Sequence, residues 1–193
     1  MITLYVIRHG QTDWNIQNRL QGSTDIPLNS TGHEQAKIAA KELENINFDI
    51  VISSPLERAL DTAKHVNSSK NAELITDSRL IERCFGNLEG KTGEDLKQLN
   101  FSIIELLDYS INYNKYNVET VQDLFSRLEN FIEYIKNNFK NKTILISTHN
   151  GVAQVLDVIL NNLPKTTNLL DVSFKNCEFR RYLIDEMPKM YLL

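Results

Sequence analysis

Two cysteines among 193 residues, Cys84 and Cys177, are too few for a disulfide framework and are not spaced as metal ligands. Both are expected as reduced, partly buried thiols. No run approaches the roughly 18 apolar residues needed to cross a bilayer, and no basic, apolar leader precedes the first predicted strand. Neither a transmembrane helix nor a signal peptide is expected, and a cytoplasmic location is the default. A large excess of one charge is missing too. The 21 Lys and Arg against 25 Asp and Glu leave a net charge of -4, which gives no global attraction to nucleic acid or to an anionic membrane. Any cation that matters must act locally. Repeats and low-complexity linkers are also absent, so residues 1–193 are read as one domain, large enough to bury roughly 70% of its unfolded surface.

What the chain does have is alternation of apolar runs with amphipathic segments. Leu4–Ile7, Ile50–Ser53, a short run at Leu74 and Ile75, and Thr143–Ser147 read as strands. Two late runs, Val172–Phe174 and Phe179–Ile184, read as a further pair that could form a hairpin. Helices are predicted from Thr31 to Leu43, with Thr31 and Glu34 spaced as a capping box, and from Pro55 to about Val66, with Ser54 as N-cap. Thr92 with Asp95, and Thr120 with Asp123, mark two more helix starts, and a last helix runs from about Val152 to Leu160. This pattern predicts an α/β fold, a three-layer doubly wound, mainly parallel sheet with helices on both faces and one antiparallel strand.

Three of the predicted strands end in turns that carry cationic or imidazole side chains. The first ends in Arg8-His9-Gly10-Gln11-Thr12, the second leads through Ser54-Pro55 to Arg58, and the third ends in Thr148-His149-Asn150-Gly151. In a parallel sheet these turns share the carboxyl edge, where open α/β sheets build their sites. Arg58 falls in a first helical turn, where a cation is poorly matched to the helix dipole unless an anion shares the site. A phosphate would be such an anion. An Arg-His-Gly tripeptide alone arises by chance in roughly 2% of chains this long, so the convergence carries the inference.

In this order the blocks resemble the histidine phosphatase superfamily, the branch that includes cofactor-dependent phosphoglycerate mutase and many small phosphatases. The resemblance runs from Arg8 to about Gly151. It includes Trp14-Asn15, Asn18-Arg19-Leu20-Gln21-Gly22, Ser53-Ser54-Pro55-Leu56-Glu57-Arg58-Ala59, and Glu82-Arg83-Cys84-Phe85-Gly86 with Leu88-Glu89-Gly90. It implies that His9 is a nucleophile forming a phosphohistidine, that Arg8 and Arg58 clamp phosphate oxygens, and that Glu82 is the general acid. Glu57 and Glu89, which also lie in matched blocks, compete for that last role. It further implies that His149 stabilises the equatorial oxygens, helped by Asn15 and by backbone N–H groups near Gly10 and Asn150. Gln21 matches a position that contacts substrate or water, and Gly22 and Gly151 are carried over as phosphate-binding residues.

The activity implied is metal-independent hydrolysis of a small phosphate ester, with no cofactor, no nucleic-acid or membrane partner, and a homodimer as the base-rate assembly. Two other readings stay open: a phosphoglycerate mutase and a non-catalytic phosphate-binding module. A metal site built from His9, His149 and a carboxylate lacks further ligands in the pattern. The mutase pattern carries a lysine where this chain has Gly93, and a long insertion with paired arginines. Here the corresponding stretch, about 100–119, has Lys115 as its one cation and includes Glu105 and Asp108. It reads as a short cap whose Ile103, Leu106 and Leu107 either face a leaving group or pack on the sheet. His33 and His65 fall outside the motifs and are expected to be solvated.

Overall fold

The computed structural model describes residues 1–100, 103–111 and 116–184. Five strands, β1 (Ile2–Arg8), β2 (Ile50–Ser53), β3 (Glu73–Thr76), β4 (Thr143–Thr148) and β5 (Phe179–Ile184), form one sheet in the order β3-β2-β4-β1-β5. The first four are mutually parallel, and β5 runs antiparallel to β1. Because successive strand side chains face opposite ways, one strand feeds two cores. Ile2, Leu4 and Val6 of β1 join Ile144 and Ile146 of β4 in one cluster, while Tyr5, Ile7 and Leu145 belong to another.

Each face has its own helices. Helix α1 (Asp13–Ile16) is a single turn after β1; α2 (Ser30–Glu42), its C-cap Leu43 and α3 (Glu57–Asn67) supply Ala39, Leu43, Ala63 and Val66 to the second cluster. After the short α4 (Gly93–Gln98) and α5 (Ile103–Leu106), α6 (Val121–Asn138) and α7 (Asn150–Leu160) cover the other face with residues such as Leu128, Phe131, Val155 and Leu156. The three-layer, mainly parallel architecture expected from the apolar periodicity is the one observed. Thr92 and Asp95 form a reciprocal capping box, and Thr120 caps α6 by accepting from Asp123 N. Among the described residues no helix is long and apolar enough to cross a membrane.

Several local expectations are corrected. The predicted Thr31–Glu34 capping box is absent: α2 begins at Ser30, and Asn29 caps it by accepting from Gly32 N at 2.9 Å. Asparagine is at least as good an N-cap as threonine, and the loop before it is pinned because Asn29 N donates to Gln11 O. Helix α3 begins at Glu57 rather than Pro55, with Leu56 as an N-cap that makes no side-chain bond. Ser54 was the expected cap, but its hydroxyl is bonded to His149 Nε2 at 2.8 Å. The run at Val172–Phe174 is not a strand. A 3-10 turn spans Leu169–Val172, started by Asn168 accepting from Leu170 N, and β5 already occupies the free edge of β1. No hairpin joins the two runs. His33 and His65 are half-buried and paired, Nδ1 to Nε2 at 3.0 Å, so they tie α2 to α3 rather than standing in water.

Candidate active site

The register of the sheet brings the three turns together. Arg8 lies opposite Thr148 and Ser53 opposite Ser147. Past the strand ends the pairing continues, with His9 N donating to Thr148 O and Ser54 N to Ser147 O, each at 2.9 Å. A pocket of about 200 Å³ opens at this edge. Arg8, His9, Arg58 and Glu82 line it together with Asn15, Gln21, Gly22, Asn150 and Gly151. Gly10 and His149 stand beside these residues and do not line it.

The His9 ring is 3% exposed, and its Nδ1 meets Gly10 O at 2.6 Å. A carbonyl only accepts, so Nδ1 carries the proton and Nε2 of the neutral ring is bare. Burial, then the charges of Arg58 and Arg8, hold the His9 imidazole well below its ordinary pKa. The ring is therefore neutral at neutral pH and offers a lone pair to the pocket. Its peptide support is also fixed. Gly10 N donates to Thr62 Oγ1 at 3.1 Å, and Thr62 Oγ1 donates to Arg58 O at 2.8 Å. The Gly10 amide, expected to reach phosphate, is thus taken by α3. Asn176 Nδ2 donates to His9 O at 3.1 Å from the other side.

The two guanidinium groups differ in their ties. Arg8 Nη1 donates to Phe174 O at 2.5 Å, and its buried Nε has no partner among the described residues. Arg58 is fully buried. Its Nη1 and Nη2 donate to Thr24 O and Gly22 O, both at 2.8 Å, and its Nε to His149 Nδ1 at 3.1 Å. A guanidinium has five N–H groups, so one on each terminal nitrogen of Arg58 stays unused by these bonds. Burial lowers the pKa of both arginines, and Glu82 is the largest charge opposing that effect. A buried guanidinium with unused donors at a pocket wall suits an oxyanion.

His149 is also fully buried, its ring 5.2 Å from that of His9 between centroids and tilted by 61°. Because Arg58 Nε–H can only donate, His149 Nδ1 is the bare nitrogen and Nε2–H donates to Ser54 Oγ. Both nitrogens are engaged by protein, so its ring holds Arg58 rather than facing the pocket. Burial and then the Arg58 charge keep it neutral, well below its ordinary pKa.

Two buried imidazoles with depressed pKa values set a pH dependence of stability. In the unfolded chain they take up protons below about pH 6.5, while the folded chain refuses them until its own lower values are reached. The unfolded state then binds more protons, and stability falls as pH drops from about 6.5 toward those values. Each histidine contributes roughly 1 kcal/mol per pH unit in that window. Carboxylates with lowered values, such as Glu89 and Asp77, act only at more acidic pH. Urea denaturation between pH 7.5 and 5.5 should show the midpoint falling; a constant or rising midpoint would contradict neutral, buried rings.

Glu82 Oε1 accepts from Arg83 N at 2.9 Å and its Oε2 from Gly151 N at 3.1 Å. A Cβ at Gly151 would come within 2.7 Å of Oε1, so glycine there lets the carboxylate approach the start of α7. Asn15 Oδ1 accepts from Thr12 N at 3.0 Å, which leaves its amide nitrogen as the group it can offer. Gln21 Oε1 accepts from Thr12 Oγ1 at 3.0 Å, and Asn150 Oδ1 from Phe174 N at 3.0 Å. The rest of the lining is an apolar wall of Leu20, Phe85, Leu106, Leu107 and Leu170, together with Arg19 and Gln154.

Several contributors were not singled out from the sequence. Thr62, Phe174 and Asn176 brace the Arg8-His9-Gly10 turn, and Arg19 and Leu170 line the pocket. Thr62 was accessible in principle, one helical turn after Arg58 on the same face. Phe174 acts through its backbone carbonyl, for which no side-chain signal exists. Ile103 and Ile104, with residues 101–102 and 112–115, Lys115 included, lie outside the residues whose side chains are described.

Comparison with known proteins identifies relatives of this chain. The protein named "Uncharacterized phosphatase PhoE" from Bacillus subtilis (strain 168) is 32% identical over 182 residues, spanning 93% of this chain and 89% of that one. A 2,3-bisphosphoglycerate-dependent phosphoglycerate mutase from Bartonella tribocorum is 30% identical over 169 residues, 83% of this chain and 82% of its own length. The fold matches that of a mycobacterial glucosyl-3-phosphoglycerate phosphatase solved with VO3, with a TM-score of 0.85, 24% identity, and coverage of 93% of this chain and 91% of that one. The profile of the histidine phosphatase superfamily (branch 1) matches residues 4–188, and the chain belongs to that family.

Proposed function

We propose that this protein hydrolyses a small phosphate monoester through a phosphohistidine on His9. The observation that carries the reading is the His9 ring, anchored through Nδ1 to Gly10 O and leaving a bare Nε2 on a pocket that Arg8 and Arg58 also line. In the first step His9 Nε2 forms a bond to phosphorus, the ester P–O bond breaks, and Glu82 gives its proton to the departing oxygen. In the second, Glu82 takes a proton from water, the resulting hydroxide attacks phosphorus, and the P–N bond breaks to release orthophosphate and neutral His9. The unused N–H groups of Arg58 and the unpartnered Nε of Arg8 would hold the non-bridging oxygens through both steps. Asn15, Gln21 and the start of α7 at Asn150 and Gly151 would complete the cradle. His149 would serve by keeping Arg58 in place.

The apolar wall favours hydrolysis over phosphoglycerate mutation. A mutase must hold a carboxylate and a second phosphate on the leaving-group side, which calls for additional cations there. Among the described lining residues, Leu20, Phe85, Leu106, Leu107 and Leu170 are apolar, and Arg19 is the one cation besides Arg8 and Arg58. Residues 100–119 would act as a short cap on this wall. Arg83 fastens it by donating Nε to Glu119 O at 2.6 Å and Nη1 to Leu106 O.

The test is phosphate release from a panel of monoesters, phosphoglycerates and phosphoserine included, with chelator present. Turnover that survives chelation is expected. Transfer between phosphoglycerate isomers without net phosphate release would replace the hydrolase reading by the mutase one.

A further inference from the structure

Glu89 does not line the pocket, yet its carboxylate is the most heavily bonded one described. Oε1 accepts from Ser23 N and Ser23 Oγ at 2.9 Å and from Phe85 N at 3.1 Å. Oε2 accepts from Thr24 N at 2.9 Å and from Thr24 Oγ1. Burial alone would raise the Glu89 pKa, but these bonds from Thr24, Ser23 and Phe85 outweigh it and hold the carboxyl below its ordinary value. The turn it grips is the one whose carbonyls grip Arg58: Gly22 O takes Nη2 and Thr24 O takes Nη1, each at 2.8 Å. Gly22 has φ +55°, and a Cβ there would fall 2.1 Å from Glu89 Oε1, so the turn is shaped around the carboxylate.

We infer that Glu89 is a positioning residue that sets Arg58 for the phosphate through the Gly22–Thr24 turn. The turn lies between a negative and a positive charge, with N–H groups aimed at one and C=O groups at the other. Such an arrangement stabilises a buried guanidinium without a carboxylate bonded to it directly. A direct bidentate carboxylate would occupy the donors that an incoming phosphate needs. By acting through two peptide groups, Glu89 adds to the countercharge of Glu82 and Asp25 and leaves those donors free. Its bond to Phe85 N links the same carboxylate to the apolar wall.

The experiment measures orthophosphate affinity calorimetrically alongside ester turnover, in wild type, Glu89→Gln, Arg58→Lys and the double variant. The turnover arm rests on the phosphatase reading; the binding arm needs only an oxyanion site, so failure of either is seen separately. Glu89→Gln keeps size but loses charge and presents an NH2 group to N–H donors. It should weaken orthophosphate binding by about 10-fold or more and lower kcat/KM by a comparable or larger factor. In the Arg58→Lys background the same change should cost less than about 3-fold, since the group it positions is gone. Unchanged binding in Glu89→Gln, or an equal loss in both backgrounds, would overturn the inference and leave Glu89 a structural carboxylate. Thr24→Val removes one hydroxyl donor, keeps the backbone, and should weaken binding about 3-fold; it serves if Glu89→Gln does not fold.

Discussion

Alanine in place of His9 is expected to lower kcat for ester hydrolysis by about 10⁴-fold or more, because the group proposed to bond to phosphorus is removed outright. The fold should tolerate the change. Among the described residues the His9 ring is hydrogen-bonded to the adjacent carbonyl alone, while Gly10 N, His9 O and His9 N are fixed by Thr62, Asn176 and Thr148 through the backbone. Arg8 and Arg58 remain, and without the ring the oxyanion site gains room, so orthophosphate should bind the variant as well as or better than wild type. Rapid mixing with a labelled ester should leave an acid-labile phosphoryl group on wild type and none on His9→Ala. Substantial hydrolysis by the variant, or labelling of it, would mean that another residue is the nucleophile.

Much of this site was legible because strand periodicity and turn chemistry are local. Apolar runs that alternate between two cores fix β1, β2 and β4, and parallel pairing then brings their carboxyl ends to one edge. Arg8, His9, Arg58 and Glu82 accordingly share a pocket. What was not legible depends on partners far along the chain. Glu82 and Glu89 are chemically identical and sit in adjacent matched blocks, but one borders the pocket and the other faces five donors from Ser23, Thr24 and Phe85. Spacing cannot separate them. The resemblance implied that His149 stabilises the equatorial oxygens, while in the structure its two nitrogens are bonded to Arg58 and Ser54. The apolar run at Val172–Phe174 satisfied a strand pattern, but the number of edges a sheet has left is a tertiary quantity. That segment instead wraps the site, and Phe174 O holds Arg8.

Replacing Arg58 with methionine separates what this residue does for folding from what it does for chemistry. Fully buried, the guanidinium has no carboxylate bonded to it among its described partners, and burial has lowered its pKa despite Glu82, Asp25 and Glu89 nearby. The charge is therefore held at a net cost in the folded state. Removing it relieves that cost but strips Gly22 O, Thr24 O and His149 Nδ1 of their donors, at about 1 to 3 kcal/mol for each acceptor left unsatisfied. Water entering from the pocket that Gly22 and Arg58 line can replace part of this loss. Because these effects oppose one another, stability should change by no more than about 2 kcal/mol. Activity has no such compensation, because on the proposed mechanism the transferring phosphoryl group loses two charge-assisted donors at once. A fall in kcat/KM of about 10³-fold is expected, with the folded fraction still near complete. Denaturation and turnover measured on the same preparation decide the matter. A stability loss above about 4 kcal/mol, or activity within 10-fold of wild type, would show that Arg58 is there for the fold and that the phosphate is held by other groups.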